Sequence, residues 1–280
     1  MKKIGIVYPY FAHYRRPVLQ ELCELLSNDY EIELLADEEA EIPALRMINL
    51  AEFSKGICSF QKLHNVWLGR WLWQFGLLRS VLCNKADAII FLGQFNFIST
   101  WFAVLLAKFM GKKTLFWSHG VYGNESGLKR LIRVTFYRMA DGMLLYGDYS
   151  KKLLIDLGMD PRSLEVIYNS LDYSKQKELR DLKSESCVTE VKARLFGSGD
   201  LMQPYLIFVG RLTSVKRLDL LLKAVAKLKQ RGRAVNCLIV GEGPEAEMLY
   251  HLTESLGIVE QVNFYGASHD EEELSELIYS

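Results

Sequence analysis

Short apolar runs alternate with amphipathic stretches along nearly the whole chain, and this alternation constrains the fold more than any other feature. Before residue 175 the predicted strands are Lys3–Val7, Glu31–Ala36, Ala88–Leu92, Thr114–Trp117, Gly142–Tyr146 and Leu164–Ile167. Helical patterns lie between them, at Pro17–Ser27, Leu63–Cys83, Phe97–Phe109, Gly127–Met139 and Tyr149–Leu157. Alternation of this kind indicates right-handed βαβ crossovers and a mainly parallel sheet that is covered on both faces.

The alternation lapses between Ser174 and Gln203, where Lys, Glu and Ser predominate. We therefore expect an N-terminal domain over residues 1–175, a linker with a surface helix over 176–203, and a second domain over 204–280. After the linker the pattern predicts strands Tyr205–Val209, Val235–Val240 and Val262–Tyr265, and helices Leu218–Arg231, Glu245–Leu256 and Glu271–Ile278. A doubly wound domain commonly has about five or six strands, so the second domain is expected to be incomplete.

Composition excludes several classes of protein. Thirty-four basic residues balance 34 acidic ones, so no global field favours nucleic acid. The five cysteines are scattered and form no Cys-x-x-Cys pair, which argues against a disulfide framework and a zinc site and fits a reducing compartment. The apolar run Ile4–Val7 is too short for a signal-peptide core. We therefore expect a cytoplasmic protein.

Two stretches raise the question of membrane contact. Residues 88–107 carry no charge, but Gly93, Gln94 and Asn96 in the middle indicate a strand, a turn and a buried helix rather than a membrane span. The aromatic run Trp67–Phe75 lies within the predicted helix Leu63–Cys83. Such a run is typical either of a buried stripe or of an interfacial helix at the inner face of the membrane, and both readings stay open.

The segment Phe208–Arg217 carries the strongest chemical signal. An apolar strand ends at Gly210, and Arg211 and Lys216 follow before a helix begins near Leu218. In open α/β sheets, ligands bind at the carboxyl ends of strands, where the next helix N-terminus favours anions. An arginine fork and a lysine charge could therefore hold a diphosphate without a metal. An ordinary solvated loop accounts for the same residues equally well on chemistry alone.

The segments Gly210–Arg217, Leu238–Pro244 and Val262–Gly266 together resemble the C-terminal domain of family 4 retaining glycosyltransferases, which have the GT-B fold of two Rossmann-like domains. The resemblance implies that Arg211 and Lys216 hold the diphosphate of a nucleotide-sugar donor.

The same resemblance implies that Ala267 and Ser268 lie against the nucleotide base. Family members also carry two donor-binding glutamates further along the second domain, and no matching segment occurs before Ser280. The resemblance thus implies a truncated donor site.

The N-terminal half resembles the family more loosely. Tyr8–Pro17 follows the first strand, where the family places a loop that contacts donor and acceptor. The family's common Gly-Gly pair is absent, although a Tyr-Arg-x-Pro pattern is familiar in some members. The resemblance implies that His13, Arg15 and Arg16 lie on the acceptor side; surface cations that open a helix are the alternative.

His119 follows the predicted strand Thr114–Trp117 after one intervening residue, Ser118. It is therefore expected at the edge of the sheet where binding sites form. Histidine shares protons near neutral pH and hydrogen-bonds sugar hydroxyls. The matching histidine of the family faces the transferred sugar, so His119 is the candidate catalytic residue. A histidine that only caps its own loop is the alternative.

The expected reaction is transfer of a sugar from a nucleoside diphosphate sugar to a glycan or lipid-linked acceptor, with retention and with no cofactor or metal. Surface polysaccharide or lipopolysaccharide synthesis would use such an enzyme. A non-catalytic, truncated binding module is the alternative. A Rossmann oxidoreductase is disfavoured because no Gly-x-Gly-x-x-Gly follows the first strand.

Overall fold

The computed structural model of the protein describes residues 1–39, 47–53, 58–123, 125, 127–170, 172–182, 185–197 and 205–280. The chain divides into two compact units, Met1–Asp172 and Tyr173–Ser280. Both are Rossmann-like α/β units, which confirms the predicted fold class.

The first unit is built on a parallel sheet of seven strands in the order β3-β2-β1-β6-β7-β8-β9. The strands of this sheet are β1 (Lys2–Val7), β2 (Tyr30–Ala36), β3 (Ser59–Lys62), β6 (Ala88–Leu92), β7 (Lys113–Ser118), β8 (Gly142–Leu145) and β9 (Leu164–Val166). The unit also contains β4 (His64–Leu68) and β5 (Trp71–Phe75), which pair with each other outside the sheet. Its helices are α1 (Arg16–Leu26), α2 (Leu50–Phe53), α3 (Leu77–Cys83), α4 (Ile98–Phe109), α5 (Gly127–Tyr137) and α6 (Asp148–Asp156).

Both faces of this sheet are covered, which explains why its central strands β6 and β8 are apolar throughout. Successive residues of a strand point to opposite faces. Ile6 accordingly packs with Leu19 of α1 on one face, whereas Val7 belongs to the core that includes Val104 of α4 and Phe136 of α5 on the other.

The strand order reverses between β1 and β6, which pair in parallel with Ile6 opposite Ile90. At such a reversal the connections leave on opposite faces of the sheet, so a crevice opens at the carboxyl ends of the two strands. The loops after Val7 and Leu92 border this crevice.

The predicted helix over Leu63–Cys83 is wrong for its first half, and so is the interfacial helix considered for Trp67–Phe75. Residues His64–Phe75 form an antiparallel hairpin of β4 and β5, and the helix α3 begins only at Leu77. Leu68 pairs with Trp71, and Gly69 supplies the positive φ of 59° that a two-residue turn requires. Tryptophan and phenylalanine also favour strands over helices. Strand β3 was not predicted.

The second unit has a parallel sheet of three strands in the order β10-β11-β12 among the residues described. Its elements are α7 (Tyr173–Asp181), α8 (Glu185–Phe196), β10 (Leu206–Val209), α9 (Leu218–Gln230), β11 (Cys237–Val240), α10 (Ala246–Ser255), β12 (Val262–Gly266) and α11 (Glu271–Tyr279). The bounds from β10 onward lie close to those predicted.

Helices cover both faces of this smaller sheet. Leu222 of α9 and Leu249 of α10 pack on Ile239 from one side. Leu195 of α8 and Leu277 of α11 pack on Leu238 from the other. The segment 176–203, expected to hold a surface helix and linker, therefore contributes a packed helix, α8; its residues 183–184 and 198–203 lie outside the described part.

The uncharged stretch 88–107 forms strand β6, a turn and most of helix α4, as predicted. Of the helices in the described ranges, none combines the length and the apolar character needed to cross a bilayer.

Candidate functional site

A cavity of about 280 Å³ lies at the carboxyl edge of the first sheet, at the reversal of strand order. The loops after β1, β6, β7 and β8 all contribute to it. Its lining comprises Tyr8, Pro9, Tyr10, Ala12, Tyr14, Arg15, Trp67, Leu92, Gln94, Asn96, Phe97, His119 and Tyr146. Among the described residues, this lining contains one permanent cation, several hydrogen-bonding groups and no carboxylate.

Arg15 is the cation of this cavity. Its guanidinium lies 5.1 Å from the ring centre of Tyr8, 6.0 Å from that of Tyr14 and 5.6 Å from that of Trp117. It donates a hydrogen bond of 2.9 Å to the hydroxyl of Tyr146. The aromatic rings favour a cation electrostatically and fix its position.

His119 lines the same cavity from the loop after β7. Its imidazole lies against the ring of Tyr146, with 4.3 Å between the ring centres. The pKa of His119 is lowered from its ordinary value of 6.5, first by burial and second by the charge of Arg15. The imidazole is therefore neutral at neutral pH, and it can exchange hydrogen bonds with a hydroxyl group.

A network of buried hydrogen bonds fixes the backbone around His119. The hydroxyl of Ser118 donates to the carbonyl of Gly93 at 2.9 Å and accepts from the amide of Gly120 at 3.1 Å. The carbonyl of Gly120 accepts from Tyr137 at 3.0 Å and from Arg133 at 3.2 Å. These bonds fix the turn that carries His119.

Two further contacts complete this support. Arg133 is neutralised by Glu125 at 2.8 Å. The hydroxyl of Ser150 donates to the carbonyl of His119 itself. The position of the imidazole therefore depends on residues that lie far from it in the sequence.

The hairpin of β4 and β5 supplies one wall of the cavity. This hairpin was not predicted from the sequence. Trp67 lines the cavity and contacts Phe97 edge to face at 5.9 Å. The amide of Gln74 donates to the carbonyl of Tyr8 at 3.1 Å, and that of Asn65 donates to the carbonyl of Pro9 at 2.8 Å. A Gly-x pair between two aromatic runs was the available signal for a hairpin.

The other two predicted acceptor-side residues do not line this cavity. Arg16 is exposed at the start of α1, with its guanidinium 6.0 Å from the ring centre of Phe53. His13 contacts the ring of Tyr14 at 5.7 Å. Of the three residues, the structure thus brings only Arg15 to the cavity.

In the second unit, the loops after β10, β11 and β12 are joined at the carboxyl edge of the sheet. The amide of Gly210 donates to the carbonyl of Val240 at 2.9 Å, and that of Gly241 donates to the carbonyl of Gly266 at 2.7 Å. A Cβ atom at Gly241 would come within 1.9 Å of the carbonyl oxygen of Gly210. Glycine is therefore required at position 241 by this close approach.

Arg211 and Lys216 both project from this edge and are exposed. Within the described part of the chain, neither side chain lies within 4.0 Å of a carboxylate. Their neighbour Arg217 differs, because it forms a two-point contact with Asp219 at 2.9 and 3.2 Å. Two uncompensated cations thus precede α9, while the third is neutralised.

Ser268 lies at the end of β12, next to Ala267. Its hydroxyl donates to Glu273, which also accepts from Tyr265 at 2.6 Å. These bonds, first that of Ser268 and then that of Tyr265, lower the pKa of Glu273. The hydroxyl of Ser268 is thus engaged in ordering the start of α11.

Comparison with known proteins finds similarity in sequence for the second unit and in fold for the whole chain. Residues 196–280 match the family model described as "Glycosyl transferases group 1". Over 101 residues the chain is 30% identical to alpha-D-kanosaminyltransferase of Streptomyces kanamyceticus, a match that covers 36% of this chain and 25% of that protein. The matched region thus spans about a quarter of that curated relative.

Solved structures resemble the chain over nearly its full length. HepE of Anabaena in complex with UDP-glucose has a TM-score of 0.68 and 16% identity, covering 99% of this chain and 71% of that one. A glycosyltransferase from Rickettsia africae has a TM-score of 0.71 and 15% identity, covering 99% and 70%. The fold is therefore that of GT-B glycosyltransferases, and the second unit carries the sequence signature of group 1.

The electrostatic coupling in the cavity yields a prediction. Replacing Arg15 with Gln removes the nearby positive charge, so the pKa of His119 should rise toward 6.5, while burial keeps it below that value. Titration of the imidazole resonance by NMR measures this shift. Arg16→Gln removes an equal charge outside the cavity and should leave the His119 curve in place. An unchanged curve in Arg15→Gln would show that the two groups are not coupled.

Proposed function

We propose that the protein is a retaining glycosyltransferase of family 4 type, which moves a hexose from a nucleoside diphosphate sugar to a glycan or lipid-linked acceptor. The observation that carries this proposal is the pair of uncompensated cations, Arg211 and Lys216, at the carboxyl edge of β10. HepE was solved with UDP and with UDP-glucose, which supports a uridine diphosphate sugar as the donor.

The second unit would bind the donor and stabilise the leaving group. As the bond between the anomeric carbon and the diphosphate breaks, negative charge grows on the diphosphate oxygens. The planar fork of Arg211 and the ammonium of Lys216 would neutralise this charge without a metal. The N-terminus of α9 adds a favourable dipole. Ala267 and Ser268 would lie beside the base.

The first unit would hold the acceptor and the transferred sugar. A neutral His119 would orient a sugar hydroxyl by a hydrogen bond, as the candidate catalytic residue. The acceptor hydroxyl oxygen forms the new bond to the anomeric carbon on the face that the diphosphate leaves, and its proton passes to a diphosphate oxygen. Configuration is thereby retained.

We place the reaction in the cytoplasm, with peripheral contact to the inner membrane face when the acceptor is carried by a lipid. One face of α4 supports such contact. Phe102, Leu105 and Phe109 are 52%, 57% and 90% exposed, and their spacing puts them on one side of the helix. Aromatic and aliphatic side chains of this kind insert at the headgroup boundary.

Lys216→Ala should weaken binding of UDP to the chain. A charge-assisted hydrogen bond contributes about 1.5–3 kcal/mol, so the dissociation constant should rise roughly tenfold or more. Arg211→Lys should also weaken it, because a point charge does not replace a planar fork. Lys227→Ala, an exposed lysine in the last turn of α9, is the matched control. Calorimetry that shows equal affinities for all four proteins would remove this loop from the donor site.

His119→Ala should lower sugar transfer much more than it changes UDP affinity. The imidazole acts on the sugar, whereas the diphosphate is held by the second unit. Turnover with a panel of uridine diphosphate sugars and glycan or lipid acceptors, beside calorimetry with UDP, separates the two effects. Equal losses in both would assign His119 to binding or folding. Turnover absent from the unmodified chain, with UDP bound normally, would favour a non-catalytic binding module.

Membrane contact is tested by replacing Phe102, Leu105 and Phe109 together with serine. Co-sedimentation with anionic liposomes should fall because the apolar face of α4 is lost. The triple replacement of Leu220, Met248 and Tyr250, which are also exposed and lie on the second unit, should leave it unchanged. An unmodified chain that never sediments with liposomes would contradict the proposal.

A further inference from the structure

Arg15 is a half-buried cation that has no counter-charge among the residues that the structure describes. Its polar partner is the neutral hydroxyl of Tyr146, and its other neighbours are the rings of Tyr8, Tyr14 and Trp117. In the described ranges no carboxylate lies within 4.0 Å of the guanidinium. Aromatic rings compensate a cation only in part, and desolvating a charge without a counter-ion is costly.

A second buried arginine of the same unit has an acidic partner. Arg133 lies over the rings of Phe95 and Tyr122, at 4.8 and 5.5 Å, yet it also has the carboxylate of Glu125 at 2.8 Å. Arg15 has the same kind of aromatic setting but lacks the acid. Of these two arginines, only Arg133 has its anion supplied by the described residues.

Two further buried donors near Arg15 have no acceptor in the described part of the chain. The indole Nε1 of Trp117 is buried without a hydrogen-bond partner among the described residues. The hydroxyl of Tyr8 is buried and likewise has no hydrogen-bond partner among the described residues. Burial raises the pKa of Tyr8 well above its ordinary value, so this group stays a neutral phenol. Unsatisfied buried donors are rare and call for an explanation.

We propose that the cavity at the carboxyl edge of the first sheet binds an acidic acceptor, whose carboxylate or phosphate is held by Arg15. This inference rests on the proposed function, since it names the class of acceptor. The guanidinium supplies a charge-assisted fork. The described lining of the cavity contains no carboxylate, so no negative charge there repels an incoming anion.

The same chemistry has a second source, because the diphosphate of the donor is also an anion. Arg211 and Lys216 already provide a place for it in the second unit. If Arg15 holds the acceptor, then an anion at Arg15 and UDP at Lys216 bind at the same time. If Arg15 holds the donor, the two compete.

The test titrates the full chain with inorganic phosphate and, separately, with methyl β-glucuronide, while NMR follows the His119 imidazole. An anion that neutralises Arg15 should raise the pKa of His119 and shift its resonance. Methyl β-glucoside, which has a neutral hydroxymethyl group in place of the carboxylate, should do neither. Arg15→Gln should lose the response, Arg15→Lys should weaken it roughly tenfold, and Arg16→Gln should keep it.

The outcomes separate the possibilities. A response to either anion that depends on Arg15 and persists in saturating UDP supports an acidic acceptor. A response that UDP displaces assigns Arg15 to the donor and overturns the proposal. The absence of any Arg15-dependent response also overturns it. Normal UDP binding that depends on Lys216 would leave the proposed function standing in each of these cases, so the two proposals fail separately.

Discussion

The site in the first unit depends on the burial of both faces of its parallel sheet. Once Ile6 packs under α1 and Val7 packs against the helices of the opposite face, every connection must leave β1 and its neighbours at their ends. The carboxyl ends of β1, β6, β7 and β8 then meet along one edge. The side chains that follow these strands are forced together, although they come from distant parts of the sequence.

Rigidity at this edge comes from buried hydrogen bonds between loops. Ser118 ties the turn at His119 to Gly93, and Tyr137 ties the same turn to α5. The hairpin of β4 and β5 holds the loop after β1 through Gln74 and Asn65. Each of these bonds lies where water has little access, so losing one partner leaves a buried group unpaired. A cavity built in this way presents Arg15 and His119 in fixed positions before any ligand arrives.

The distribution of charge separates the structural cations from those available to ligands. Arg133 and Arg217 are neutralised by Glu125 and Asp219. Arg15, Arg211 and Lys216 have no carboxylate nearby in the described part of the chain, and all three lie at the carboxyl edges of parallel sheets. Since the chain as a whole is electrically balanced, with 34 basic and 34 acidic residues, the positive charge at these two edges is a local feature and not a consequence of the net charge.

The sequence by itself determined the class of fold and most of its elements, because a strand buried on both faces must be apolar throughout and a covering helix must be amphipathic. It also placed Arg211 and His119 just after strands and Lys216 just before a helix, since such positions are local properties of the sequence. The aromatic run Trp67–Phe75 misled the prediction, because its apolar residues suit a helix or a hairpin and only the turn at Gly69 and the anchors Gln74 and Asn65 decide between them. Which cations stay uncompensated was likewise decided by the tertiary structure. Arg15 and Arg16 are neighbours in the chain, yet one points into the cavity and the other to solvent, and that difference arises from packing against Tyr8, Trp117 and Tyr146, residues that the chain brings together only when the sheet has formed.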